Sequence, residues 1–165
     1  MVKHAKGDLL ESGCAYICHQ VNCRGVMASG IAKQIREKWP VVYDEYKKFC
    51  SKYIRLYNDP SEHLLGKVQF CYPNQDQSVI NIFSQANYGY DGLRYTSYDA
   101  FARALEDLRM IIPINKSIGF PKNIGCGLGG GNWNIVLAMI EEILGNTHDI
   151  YIYEYDPKED NNVQR

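Results

Sequence analysis

The sequence predicts an α/β protein, a three-layer α/β/α fold with a mixed central sheet. Three observations carry this. Short strand-like apolar runs alternate with segments of helical spacing, two strand-like runs separated by a turn-rich loop interrupt the alternation, and two glycine-rich stretches each fall between a strand pattern and a helical one. Alternation calls for parallel strands joined by crossover helices, while a hairpin adds an antiparallel strand and makes the sheet mixed. A chain of 165 residues with 45% hydrophobic content can build one self-sufficient core. Residues 1–156 read as a single domain, and the charged, polar stretch 157–165 reads as a disordered tail.

Residues 2–6 give a first strand, closed by Gly7-Asp8. The apolar run 14–19 is a central strand. From 29 to 39 the apolar residues Ile31, Ala32, Ile35 and Trp39 keep helical spacing. Pro40 ends that pattern and suits the first turn of a second helix over 41–52, with Val42, Tyr46 and Phe49 on one face. Residues 66–72 and 79–83 alternate as strands, with a hairpin-type loop at 73–78. Thr96 or Ser97 caps a helix carrying Phe101, Leu105, Leu108 and Ile112 inward and stopped by Pro113. A strand at 117–120 follows, then a helix from 133 to 144 with Ile135, Met139, Ile140 and Ile143 inward and Gly145 as its stop. Residues 149–155 form the last strand.

Composition narrows the classes. The net charge of −1 marks no general nucleic-acid or membrane binder, and no 18-residue apolar segment exists to span a bilayer. The six cysteines form no C-x-x-C pair, and no secretory signal opens the chain. They read as free, mostly buried thiols of a cytoplasmic protein, without a zinc site or any other metal.

The chemistry sits in the glycine stretches. Gly-Cys-Gly-Leu-Gly-Gly-Gly-Asn-Trp at 125–133 holds five glycines, and residues 21–32 repeat the pattern after an earlier strand. Glycine adopts φ > 0 at little cost, so such loops can aim several N–H groups at one point. The helix after each loop adds unpaired N–H groups and the positive end of its dipole. Two such loops suit a diphosphate held from both sides. Gly125, Gly127 and Gly130 formally match a dinucleotide fingerprint, yet only one strand follows, and Gly30-Ile31 breaks any Walker A pattern.

Gly7-Asp-Leu-Leu, His19-Gln-Val-Asn22, Met27-Ala-Ser-Gly-Ile-Ala32 and Ile124-Gly-Cys-Gly-Leu128 before Trp133 resemble, in this order, the macro domains that bind ADP-ribose. The resemblance covers essentially residues 1–155 and is strongest to the branch of ADP-ribose 1''-phosphate phosphatases and the terminal ADP-ribose protein glycohydrolase. It implies a macro-domain-like fold, no cofactor, and ADP-ribose or a derivative as partner: ADP-ribose 1''-phosphate or an ADP-ribosylated macromolecule. Nucleic acid enters only as an ADP-ribosylated substrate, and no membrane is implied. The implied activity is hydrolysis of ADP-ribose 1''-phosphate to ADP-ribose and phosphate. The alternatives are a non-catalytic ADP-ribose reader, or a hydrolase that removes ADP-ribose from protein or nucleic acid.

The resemblance also distributes roles. Asp8, beside Leu9, accepts from the adenine amino group, and Tyr155 lines the adenine pocket. Met27, Ala28, Ser29, Gly30 and Ile31, with Gly125, Cys126, Gly127, Leu128, Gly129, Gly130, Gly131 and Asn132, wrap the diphosphate. Asn22 holds the distal ribose diol, with Gln20, Gln85 and Tyr88 near it. His19 and Asn22 are the catalytic pair, His19 moving the proton, and Arg24 meets a terminal phosphate. The chain departs from its relatives at two points. The glycohydrolases carry an aspartate where Gly129 stands, and other macro-domain hydrolases carry Asn-Ala-Ala-Asn where this chain has Asn22-Cys-Arg-Gly25. Neither activity is carried over by those positions.

Overall fold

The structure, a computed structural model, describes residues 1–155. The tail expected at 157–165 lies outside the described residues. Six strands form one sheet: β1 (Val2–Lys6), β2 (Tyr16–Asn22), β3 (Val68–Cys71), β4 (Ser78–Gln85), β5 (Ser117–Pro121) and β6 (Asp149–Glu154). Their order is β1-β6-β5-β2-β4-β3, parallel throughout except that β3 runs antiparallel to β4 through the predicted hairpin. The helices are α1 (Gly30–Lys38), α2 (Pro40–Leu56), α3 (Ser61–Leu64), α4 (Tyr98–Ile111) and α5 (Trp133–Ile143).

Strand alternation sorts the core onto two faces of this sheet. Cys18, Ile80, Ile82, Ile118 and Phe120 pack against Phe101, Leu105 and Leu108 of α4 and Val136 and Ile140 of α5. On the other face Ile17 and Val79 meet Ile35 of α1 and Val42 of α2. Further along that face, Val21 and Phe83 meet Tyr46 and Cys50 of α2. Helices on both faces give the three-layer α/β/α sandwich predicted from sequence.

Several local expectations shift. Pro40 opens α2 as foreseen, but the helix runs to Leu56, since no breaker follows residue 52. Ser97 rather than Thr96 caps α4, its hydroxyl accepting from the Ala100 N–H at 3.1 Å. In α5 Ile140 is buried and Met139 and Ile143 pack against the core as expected, but Val136 completes that face in place of Ile135, which is 43% exposed. The one-turn helix α3 and a 3-10 turn over Leu9–Glu11 are too short to leave a periodic signal.

The most consequential shift is in β2, which extends three residues beyond the expected strand end. His19 therefore lies mid-strand between Ile17 and Val21 on the α1/α2 face, fully buried, with Asn81 of β4 directly opposite in register. Its Nε2 pairs with Asn81 Oδ1 at 2.5 Å, and Asn81 in turn donates to Gln69 Oε1 at 3.0 Å. His19 Nδ1 has no partner among the described residues. Burial lowers the His19 pKa to about 4, outweighing the hydrogen bond that the ring donates to Asn81 Oδ1, which raises it.

Because the folded pKa lies below the ordinary value of 6.5, the neutral ring's contribution is fully present above pH 6.5 and is lost as pH falls through about 4. The difference is worth about 3 kcal/mol. His19→Gln, which keeps a hydrogen-bonding group beside Asn81 but cannot titrate, should flatten the dependence of denaturant stability on pH between 6.5 and 4. Identical pH profiles for the two proteins would contradict this account of the core.

Candidate functional site

The carboxyl ends of the parallel strands open into one cleft of about 530 Å³, within the range that holds a nucleotide-sized ligand. Along it, in sheet order, come Asp8 after β1, Tyr153 and Tyr155 at the end of β6, Lys122 to Gly125 and Gly127 to Gly129 after β5, Gln20 and Asn22 of β2, and Gln85 and Tyr88 at and after the end of β4. The loop before α1 covers one side with Val26 and Ala28 to Ala32.

The wall formed by α1 is an uncapped helix start. Ser29 occupies the N-cap position without a side-chain cap hydrogen bond, and the first bond onto the helix is Lys33 N–H to Ser29 O at 3.3 Å. The N–H groups of Gly30, Ile31 and Ala32 donate to nothing among the described residues. Gly30 has φ of 57°, so the backbone passes from a left-handed to a right-handed residue and turns successive N–H groups toward one point.

The opposing wall is the turn after β5. It folds on itself: Cys126 N–H donates to Asn123 O at 2.8 Å, Gly130 N–H to Gly127 O at 3.0 Å and Gly131 N–H to Gly125 O at 2.9 Å. Asn132 N–H donates to the Tyr98 hydroxyl at 2.9 Å. That leaves Gly127, Leu128 and Gly129 as three consecutive N–H groups without a partner among the described residues, all on the cleft. The wider diphosphate set expected from sequence is thereby corrected. Cys126, Gly130, Gly131 and Asn132 do not line the cleft: the first three N–H groups close the turn, and that of Asn132 is taken by the Tyr98 hydroxyl. Met27 does not line it either, because its side chain is 1% exposed in the core beneath the first loop.

Asn22 reaches the cleft, but its amide organises the loop behind it. Its Oδ1 accepts from Arg24 N–H, Val26 N–H and the buried Tyr46 hydroxyl at 2.9, 3.3 and 2.8 Å. Its Nδ2 donates to Val26 O at 2.8 Å, which leaves one amide N–H for a ligand. Arg24 pairs with Asp59 at 3.8 Å and does not line the cleft. His19, the expected proton carrier, lies beneath helices α1 and α2 and likewise does not line it. Depth is the reason: His19 is fully buried three residues before the end of β2, whereas Val21 on the same face lies nearer that end and reaches the cleft.

At the β1 end Asp8 caps the 3-10 turn through Oδ1, accepting from Leu10 N–H at 2.9 Å, while Oδ2 has no partner among the described residues. Leu9 lines the same end. Tyr155 is 47% and Tyr88 44% exposed, one at each end of the cleft. No local sequence pattern singles out Tyr153, Lys122 or Asn123. Only the strand order places the end of β5 between those of β6 and β2, and Lys122 is engaged with Glu154 at 3.2 Å. Asp8 and Lys122 are the charged side chains that line the cleft, so an anion at its middle is met by peptide dipoles. No group of three His, Cys, Asp or Glu side chains gathers as metal ligands among the described residues. Burial pushes the Cys23 thiol up to about 12 and Cys50 to about 11, and partial burial also raises Cys126, so none of these thiols is poised as a thiolate nucleophile.

Fold and cleft together define an α/β/α domain whose strand-end cleft is lined by peptide N–H groups. The chain has the fold of a macro domain. It is 25% identical to the macrodomain of Mycobacterium tuberculosis DarG, with a TM-score of 0.74, covering 95% of this chain and 98% of that one. It is 26% identical over 163 residues to a DNA ADP-ribosyl glycohydrolase of Mycobacterium tuberculosis, covering 95% of this chain but spanning only 42% of that relative's length. An ADP-ribose 1''-phosphate phosphatase of Aspergillus oryzae is 41% identical over 54 residues, 32% of this chain and 26% of that protein. No family model matches the chain.

Gly129 sits where no side chain fits. A Cβ there would lie 2.6 Å from Thr96 Oγ1 and 2.7 Å from the Gly125 carbonyl, whereas one on Gly127 would meet nothing within 4 Å. Gly129→Ala should therefore cost about 2 kcal/mol, or roughly 4–8 °C in Tm. Gly127→Ala should melt within about 2 °C of the wild type. Thermal unfolding of the pair checks this, and equal melting points would show that the turn is looser than described.

Proposed function

We propose that this macro domain binds ADP-ribose or a derivative, with the diphosphate between the α1 start and the turn after β5. The observation that carries the reading is the facing of two sets of unpaired N–H groups, Gly30 to Ala32 and Gly127 to Gly129, across one cleft. These donors face an open cleft, most of them on exposed or half-buried residues, and a diphosphate supplies acceptors for both sets at once. The strand order fits the parts of the ligand. Asp8 and Tyr155 take the adenine end, the glycine walls the diphosphate, and Asn22, Gln85 and Tyr88 the distal ribose.

Hydrolysis of ADP-ribose 1''-phosphate is the second reading. The relatives named for that activity favour it, and so does the chemistry of the distal end. Asn22 keeps one N–H free there, as does Gln85, whose amide otherwise donates to Asn87 O at 2.8 Å. Among the described residues no carboxylate lines that end, and Gly129 stands where the glycohydrolases carry an acid. A terminal phosphate meets donors and no like charge. In this reaction a water oxygen bonds to phosphorus, the bond from phosphorus to the C1'' oxygen breaks, and that oxygen leaves on ADP-ribose with a proton. Peptide and amide N–H groups would stabilise charge on the phosphoryl oxygens, and His19 takes no part. Removal of ADP-ribose from DNA, the activity in the mycobacterial relative's name, would need a catalytic group other than the acid missing at Gly129. A cytoplasmic setting belongs to the same proposal, supported by six free thiols, five of them buried.

Calorimetry with ADP-ribose, alongside phosphate release from ADP-ribose 1''-phosphate, tests both readings. The wild type should bind ADP-ribose, and Gly127→Val should fold normally yet bind at least about tenfold more weakly, since its side chain enters only the cleft. Phosphate release would support the second reading. Binding without release would leave a reader, and absence of binding would overturn the proposal.

A further inference from the structure

The turn that presents Gly127, Leu128 and Gly129 is held from outside itself, and one residue holds both of its ends. Thr96, 3% exposed, donates from Oγ1 to the Gly125 carbonyl at 2.7 Å, and its N–H donates to the Gly129 carbonyl at 3.0 Å. Tyr95 N–H shares the Gly129 carbonyl at 2.8 Å. Thr96 is itself fixed. It forms an antiparallel bridge with Gln85 at the end of β4, and its Oγ1 accepts from Gln20 Nε2 at 2.9 Å. The Gln20 amide is locked in turn: Oε1 accepts from Ser84 Oγ at 2.5 Å, and Nε2 also donates to Gln85 Oε1 at 2.7 Å. Every hydrogen-bonding group of Gln20 and the Thr96 hydroxyl is thus engaged with geometry that permits one orientation.

We propose that Thr96 is a positioning residue that sets the affinity of the β5–α5 turn for a diphosphate, an inference that rests on the ADP-ribose reading above. In a trans peptide the C=O and N–H point in opposite directions. With the Gly127 carbonyl turned to Gly130 N–H, the Leu128 N–H is directed away from the turn's interior. That arrangement holds only while Gly125 and Gly129 are drawn to Thr96. Loss of the hydroxyl frees the Gly125 carbonyl and lets the three N–H groups lose their common direction. Adenosine, which has no phosphate, uses the other end of the cleft and does not depend on the latch.

The test measures dissociation constants for ADP-ribose, ADP and adenosine in the wild type, Thr96→Val and Thr96→Ser, with thermal melts on the same samples. Thr96→Val should weaken ADP-ribose and ADP by about tenfold while adenosine stays within about twofold, and Thr96→Ser should restore the wild-type values. Unchanged ADP-ribose affinity in Thr96→Val, or equal loss for adenosine, overturns the latch. A wild type that binds no ADP-ribose overturns the reading beneath it and the latch with it. Should Thr96→Val melt too low, Thr96→Ala in the cold, against the serine control, reads the same contrast.

Discussion

Peptide N–H groups that find no acceptor within the chain are the constraint on which the site depends. A helix start normally satisfies its first donors with a Ser, Thr, Asp or Asn side chain. Here Ser29 stands at that position and makes no such bond, and three further N–H groups across the cleft are likewise without partners among the described residues. The surrounding structure keeps both sets from collapsing onto nearby carbonyls. Tyr46 and Asn22 tie down the first loop, and the Thr96–Gln20–Ser84 chain ties down the second turn. Neutral hydrogen-bonded networks hold the backbone, and the backbone dipoles face the cleft.

That division explains why so few cleft residues are charged. A side-chain cation would bind phosphate strongly, but fixed N–H dipoles can select a diphosphate by geometry as well as by charge. It also separates the roles of the two faces of β2. Odd-numbered residues from Ile17 to Val21 build the core under α1 and α2, with His19 as a neutral, buried member. Gln20, on the other side of the sheet, joins the network under the glycine turn. The bulge between Val21 and Asn22 then brings the Asn22 amide round to the first loop.

The strands, the long helices, the antiparallel hairpin and the three-layer arrangement were legible in the sequence because each leaves a periodic or turn signal. The location of the cleft was legible too, since glycine clusters between strand and helix patterns mark strand ends. Which N–H groups stay unpaired was not. Cys126 and Gly127 look alike in a glycine-rich run, and only the folded turn shows that one donates inward and the other does not. The apolar run stops at His19 in the sequence, but β2 continues three residues through the polar Gln20 and Asn22, which leaves His19 in the core. Lys122, Asn123 and Tyr153 become cleft residues only through the order of strands in the sheet, a long-range property that no local pattern carries.

Amide proton–nitrogen correlation spectra recorded during titration with ADP-ribose test the central claim most directly. The amides of Gly127, Leu128, Gly129, Gly30, Ile31 and Ala32 should move downfield together as they gain acceptors. Cys126, Gly130 and Gly131, already hydrogen-bonded within the turn, should move little. Large shifts in the second group with none in the first would show that the ligand is held by something other than these unpaired donors.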